Sequence, residues 1–256
     1  MLSKPWRALF PFLLTGLITT MAHAEMPEGT AIPTRIDVPG NTHSEGRIAV
    51  YIGTHTYRYH ADYNVTNNFG DPKKIAGYVM ADADIEASIF NGSGEFHPDR
   101  LAGTFELGAV KSFGTTAGRL FLRHQSVHNI DRTDRRRPAW EMLGFRVETK
   151  LNSTNVEASL GAYSHREAVF YDTDVDIRSS TPIGEIGNHT IALDTYFHYV
   201  HEHGGPRSGF ADYWIEPSVR VNKNTSIYLG LGTAHDIDTS NGNSEHPIIL
   251  GANFNF

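Results

Sequence analysis

Between Gly118 and Leu151 the chain reads GRLFLRHQSVHNIDRTDRRRPAWEMLGFRVETKL, and a histidine, a serine and a glutamate stand in it where they can act together. Two alternating segments flank a polar, arginine-rich connection, which is the pattern of a β-hairpin. On the first segment Leu120, Leu122, His124 and Ser126 share one face, and Arg119, Phe121, Arg123 and Gln125 share the other. On the second, Leu143, Phe145, Val147 and Leu151 form the apolar face, and Glu141 has their parity. Matching the two apolar faces pairs even positions with odd ones, and a turn centred between Arg132 and Thr133 sets His124 directly opposite Glu141. Cross-strand partners have Cβ atoms ~5 Å apart, and two residues along a strand rise ~6.6 Å. An imidazole spans both gaps. A nucleophile (Ser126), a base (His124) and an orienting acceptor (Glu141) in that arrangement suit acyl transfer.

The same residues carry a family resemblance. An H-x-S that opens a polar loop, followed by a Trp and a polar residue at the start of the next strand, resembles the active-site segment of outer-membrane phospholipase A. The resemblance covers 34 of 256 residues. It implies a calcium-dependent serine esterase on the lipid-facing outside of a β-barrel, with His124 as base, Ser126 as nucleophile and Glu141, after Trp140, at the family's Asn position. The chain departs from that pattern in a loop about three residues longer, an acidic orienting residue, and Val127-His128 in place of Asn-Gly after the serine. The H-x-S-x-H strand is also similar to that of uncharacterised outer-membrane barrels.

Other residues near this hairpin offer further chemistry. Arg132, Arg135, Arg136 and Arg137 crowd its tip, and arginine forks match the phosphate of a phospholipid headgroup or of lipopolysaccharide. Asp131 and Asp134 supply hard oxygens of the kind calcium takes, so calcium is the candidate cofactor; both are equally placed to pair with the arginines. His128 lies ~13 Å from His124 along one strand, too far to share a metal. His201 and His203, in HEHGG, suit Zn²⁺ only with a third ligand from elsewhere; in a chain of 14 histidines the ordinary reading is solvated loop residues.

The elements that would position these groups read as strands. Lys4 and Arg7 precede an apolar run from Ala8 to Ile18, and Ala22-His23-Ala24 offers small residues for cleavage, so residues 1–24 are expected to be a secretory signal peptide. Residues 25–45, with Pro27, Pro33, Pro39 and Gly40, read as a periplasmic lead-in, and 46–256 as the barrel. There are no cysteines, which excludes a disulfide framework and thiolate chemistry. From Arg47 onward apolar residues recur with period two, as in Ile48, Val50 and Ile52 or Ile227, Leu229 and Leu231, and helical periodicity is absent. The last segment, PIILGANFNF, ends on Phe256 and resembles the C-terminal insertion signal of outer-membrane barrels.

These features predict an all-β fold, an antiparallel transmembrane β-barrel of the outer-membrane type with apolar residues facing lipid. Opposite faces then fill the lumen with Asp82, Asp84, Glu106, Asp194 and Glu216 against Arg119, Arg123, Arg146, Lys150 and Arg220, a plugged interior that argues against a porin. Ten alternating segments are clear, and twelve follow if 166–180 is a separate strand and another lies in the first hundred residues. Twelve puts the short turns at 114–117, 152–155 and 222–225 on the periplasmic side, where short turns belong, and the 129–139 loop outside.

The function expected from this reading is a phospholipid acyl ester hydrolase working through Ser126, His124 and Glu141 on the barrel wall. The competing classes are a non-enzymatic barrel, envelope-structural or accessory to polysaccharide export, and a lipid A acyl-chain hydrolase. Expected partners are outer-membrane lipids and lipopolysaccharide, the barrel-assembly machinery during insertion and, as one candidate, a second copy of the chain as a homodimer. A net charge of −7 gives no basis for nucleic-acid binding.

Overall fold

Twelve long antiparallel strands pair in a ring in the computed structural model, which describes residues 42–52, 59–89, 96–129, 139–167, 171–204, 209–235, 244–246 and 248–256. The first six are β1 (Thr42–Ile52), β2 (Tyr59–Phe69), β3 (Ala76–Ile89), β4 (Phe96–Phe113), β5 (Thr116–Asn129) and β6 (Ala139–Leu151). There follow β7 (Thr154–Glu167), β8 (Tyr171–Ile186), β9 (His189–Glu202), β10 (Gly209–Asn222), β11 (Thr225–Gly232) and β14 (Ile248–Asn255). Two short strands, β12 (Ala234–His235) and β13 (Ser244–Glu245), pair with each other before β14. Each long strand pairs with its sequence neighbours, and β1 pairs with β14 from Glu45↔Asn255 to Ile52↔Ile248, which closes the ring. Closure leaves no unpaired sheet edge, the requirement for a sheet in hydrocarbon.

The count is the expected twelve rather than the alternative ten. The stretch 47–60 divides into β1 and the start of β2, and β8 is a separate strand after β7. β1 also begins at Thr42, so residues 42–45 of the expected lead-in already run in the barrel wall, paired with Asn67 to Asn64 of β2. The candidate signal peptide and the rest of the lead-in lie outside the described residues.

Period-two patterning decides which way each side chain points. Leu120, Leu122, Leu143, Phe145, Leu229 and Leu250 are among the exposed apolar residues, each about half exposed, and they form a belt around the outside. Tyr213 and Phe105 extend it at one end and Phe69 and Phe113 at the other, the aromatic girdles of a membrane-spanning barrel. A contiguous apolar exterior over a charged interior is the distribution of an integral membrane barrel of the outer-membrane type. At one end lie both ends of the barrel chain, the two-residue turns at 114–115, 152–153, 187–188 and 223–224, and the six-residue connection 70–75. Three of these turns are entered in the left-handed region, at Gly114 (φ 67), Asn152 (φ 56) and Gly187 (φ 60), residue types that tolerate it. Short turns mark the periplasmic side, so the 129–139 connection is on the outer side. A barrel closed this way resists detergent until heated, and unboiled protein is expected to migrate faster on denaturing gels than boiled protein. A single position for both samples would contradict ring closure.

The lumen is filled by ion pairs and aromatic side chains. Glu106, fully buried, accepts from Tyr78 Oη at 2.7 Å, Arg123 Nε at 2.9 Å and Arg146 at 3.2 Å, and Arg119 Nε donates to Glu148 at 2.7 Å. The Arg123 and Arg146 guanidiniums also lie over the Phe121 ring, 4.9 and 5.2 Å from its centroid. That ring rests on Gly144, where an added Cβ would come 2.2 Å from it, so the backbone there must be bare. At the seam Arg47 of β1 bonds Tyr228 of β11 and, at 2.5 Å, Glu216 of β10, tying the first strand to two of the last three in the ring. Opposite charges so placed obstruct ion flow, and reconstituted protein should show little steady conductance. Large, stable single-channel steps would show that these side chains line an open pore.

Candidate active site on the barrel wall

β5 and β6 bring two of the three chemical groups together. Their ladder pairs His124 with Glu141, Leu122 with Leu143 and Ser126 with Ala139, the register that a turn centred at 132–133 requires. His124 Nδ1 and Glu141 Oε1 are 4.0 Å apart, an ion-pair separation too long for a hydrogen bond, and both side chains are about half exposed, at 51% and 57%. Both point outward, because their parity is that of the exposed Leu122 and Leu143. Ser126 follows His124 on the same face, partly exposed, and no hydrogen bond joins the two among the described residues. Nδ1 is the ring nitrogen nearer the Glu141 carboxylate, and Nε2 the one further from it. Catalytic hydrogen bonds commonly tighten only once substrate is bound.

Neighbouring strands shape the surroundings. Gly103 of β4 pairs with Ser126 on one side and Ala139 of β6 on the other, so the serine lies between two small residues. A Cβ added at Gly103 would meet nothing within 4 Å, which leaves open space beside the hydroxyl. Phe105, exposed, pairs with His124 from the β4 side. One step nearer the membrane centre, Leu107, Leu122 and Leu143 form a continuous apolar row. The polar groups therefore sit on the outer side of that apolar row, beside the exposed Phe105.

His165 is a member of this row that sequence reasoning missed. A β-bulge at Glu141/Met142 shifts the β6–β7 ladder from Met142↔Tyr163 to Glu141↔His165, with Ser164 as the extra residue. His165 is exposed, and Ser164 Oγ donates to the Glu141 carbonyl at 3.4 Å. Glu141 thus lies between a histidine on each neighbouring strand. A turn centred at 152–153 would instead have set Ser164 opposite Glu141, so only the bulge, which has no clear residue signature, reveals His165.

Arg132, Arg135, Arg136, Arg137, Asp131 and Asp134 lie outside the described residues, so the expected phosphate and calcium ligands have no geometry here. Among the described residues the outer wall does not gather a calcium site by itself. The one group of three or more histidine and carboxylate ligands that converges, Asp174, Asp176 and His198, is in the lumen. Calcium takes six to eight oxygens, and Glu141 with the Ser126 hydroxyl falls well short. His201 Nδ1 is 3.7 Å from Asp172 Oδ2, and neither His201 nor His203 belongs to a converging group of three such ligands among the described residues.

No family model and no curated protein matches the chain. Solved structures do. The chain is similar to outer membrane phospholipase A from Escherichia coli, in an active-site mutant, with a TM-score of 0.57 and 10% identity over 93% of this chain and 96% of that one. It is similar to the Salmonella typhi outer membrane phospholipase dimer with bound calcium at a TM-score of 0.55 and 10% identity, over 83% and 89%. It is also similar to the NanC porin at 0.50 and 9% identity, over 82% and 98%. At these identities phospholipases and porins alike share with this chain its fold, a closed twelve-stranded barrel of the outer-membrane type.

Proposed function

We propose that the protein is an outer-membrane acyl ester hydrolase acting on phospholipids. The observation that supports it most is the direct pairing of His124 with Glu141 on the lipid-facing wall, one residue pair from Ser126 and just above the apolar belt. Polar groups facing lipid without partners are costly, on the order of several kcal/mol each, so a clustered set at the rim is consistent with a selected site. A phospholipid standing in the outer leaflet presents its ester carbonyls at that depth.

In the proposed reaction His124 Nε2 takes the proton of Ser126 Oγ as the oxygen attacks the ester carbonyl carbon. Glu141 holds the imidazole through Nδ1 and stabilises the imidazolium that forms. The tetrahedral intermediate collapses, the ester C–O bond breaks, and His124 returns the proton to the departing alkoxide, leaving an acyl-serine and a lysophospholipid. Water, deprotonated by His124, then hydrolyses the acyl-serine and releases a fatty acid. Oxyanion stabilisation falls to backbone N–H groups at the rim, and the arginines from Arg132 to Arg137 hold the headgroup phosphate. The test is hydrolysis of phospholipid in mixed micelles by refolded protein, with and without added calcium. Fatty-acid release that Ser126→Ala lacks is the expected result; wild-type protein inactive under every condition would overturn the proposal.

A further inference from the structure

The lumen holds a second cluster of chemical groups that the wall site does not use. A cavity of about 360 Å³ is lined by Asp82, Asp84, Asp174, Asp176 and Asp212 together with His198 and three arginines. Asp174 and Asp176 share one face of β8, and His198 of β9 pairs with Asp176 on one side and with Asp212 of β10 on the other. Two of the arginines, Arg123 and Arg146, are committed to Glu106, so carboxylates outnumber the cations left to balance them.

From this cluster we infer a binding site for one divalent transition-metal ion, of the zinc class, with Asp174, Asp176 and His198 as protein ligands. One ligand atom from each lies within 4.8 Å of the others. Ligands in a tetrahedral shell at ~2.0 Å from an ion are roughly 3.3 Å apart, so side-chain rotations that close these atoms by up to ~1.5 Å complete the set. The independent observation is Asp174 itself. Its side chain is 7% exposed, it lines the cavity, and its Oδ1 is buried with no hydrogen-bond partner. A buried carboxylate oxygen left unpaired is costly, and an ion removes that cost.

The surrounding hydroxyls already orient the ligands as outer partners do at metal centres. Tyr163 Oη donates to Asp174 Oδ2 at 2.8 Å, Tyr196 Oη to Asp176 Oδ1 at 2.7 Å and Ser159 Oγ to Asp176 Oδ2 at 3.2 Å. His198 Nε2 is 2.9 Å from Asp174 Oδ2, and an ion taken up by Nε2 and by Oδ1 of the same carboxylate displaces the proton held in that contact. An imidazole with two carboxylates suits zinc and its first-row neighbours, whereas calcium and magnesium prefer all-oxygen shells. Three protein ligands leave a fourth position open toward the cavity, for water or for an anionic solute.

The test is calorimetric titration of the refolded full chain with zinc chloride, and separately with calcium and magnesium chlorides. One saturable equivalent of zinc is expected, with calcium and magnesium far weaker. Asp174→Asn and His198→Gln should each weaken that site by more than ~100-fold, beyond the 10–100-fold typical of losing an outer partner. Ser126→Ala should bind zinc as wild type does, which separates this result from the fate of the hydrolase proposal. Should either lumen variant lose its heat-modifiable band, zinc-edge X-ray absorption of the wild type takes over. A first shell of one nitrogen with oxygens near 2.0 Å is then expected. No saturable equivalent, binding unchanged in both folded variants, or a shell of several imidazoles would overturn the inference.

Discussion

Ser126→Ala and His124→Ala are each expected to reduce phospholipid hydrolysis to background, a loss on the order of 10⁴-fold or more, with the double mutant scarcely worse than either. The near-equality is the informative part. Ser126 cannot attack until His124 takes its proton, so removing either disables the same step, and independent contributions would multiply instead. Glu141 acts through the imidazole, to which its carboxylate is 4.0 Å away. Glu141→Gln keeps an oxygen able to accept from Nδ1–H and should retain partial activity, while Glu141→Ala should lose more. All five variants should remain heat-modifiable barrels, because these side chains face outward and carry none of the lumen packing. Full activity in Ser126→Ala would show that the hydrolysis belongs elsewhere on the protein or to a contaminant.

Much of this arrangement was legible because a barrel strand obeys a strict period of two. The parity of Leu120, Leu122, Leu143 and Phe145 fixed which face meets lipid, and with it the outward placement of His124, Ser126 and Glu141. Turn lengths settled the count at twelve, since two-residue turns gather on one side only for an even set of that size. Where the period weakens, the reading weakens with it. β2, YHADYNVTNNF, offers Tyr63, Val65 and Phe69 to lipid with Asn67 among them, while Asn64, Thr66 and Asn68 face inward, so its alternation is faint and part of it merged with β1. β8 ends in STPIGEI, and its register shifts between Pro182 and Gly184, which breaks the pattern. The bulge that turns His165 outward adds one residue to one strand and changes the parity of everything beyond it. Contacts across the lumen have no sequence period at all. Both signs of charge were visible on the inward face, but the meeting of Arg47 with Tyr228 and Glu216 depends on ring closure, and that of Asp174 with His198 on diagonal side-chain reach between neighbouring strands.

Glu106→Ala should destabilise the barrel by ~3–5 kcal/mol, the range for breaking a buried ion pair by removing one partner. Glu106 is fully buried, and its Oε2 is the shared acceptor for Arg123 and Arg146. Without it two guanidiniums remain in the lumen over one Phe121 ring, and the Tyr78 hydroxyl loses its acceptor. Arg146 keeps a weaker contact to Glu157 at 3.5 Å; the contact of Arg123 to Glu106, at 2.8 Å, is gone. Arg123 should therefore account for most of the loss. Glu106→Gln keeps one acceptor oxygen and should cost less than Glu106→Ala. A double-mutant cycle checks the assignment: adding Arg123→Leu to Glu106→Ala should recover part of the stability, because the uncompensated charge leaves with the guanidinium. Denaturant unfolding of detergent-refolded protein measures all four. A Glu106→Ala midpoint equal to wild type, or an Arg123→Leu cost that simply adds to it, would mean that the lumen network is solvated and that the barrel is held by its ladder and apolar belt alone.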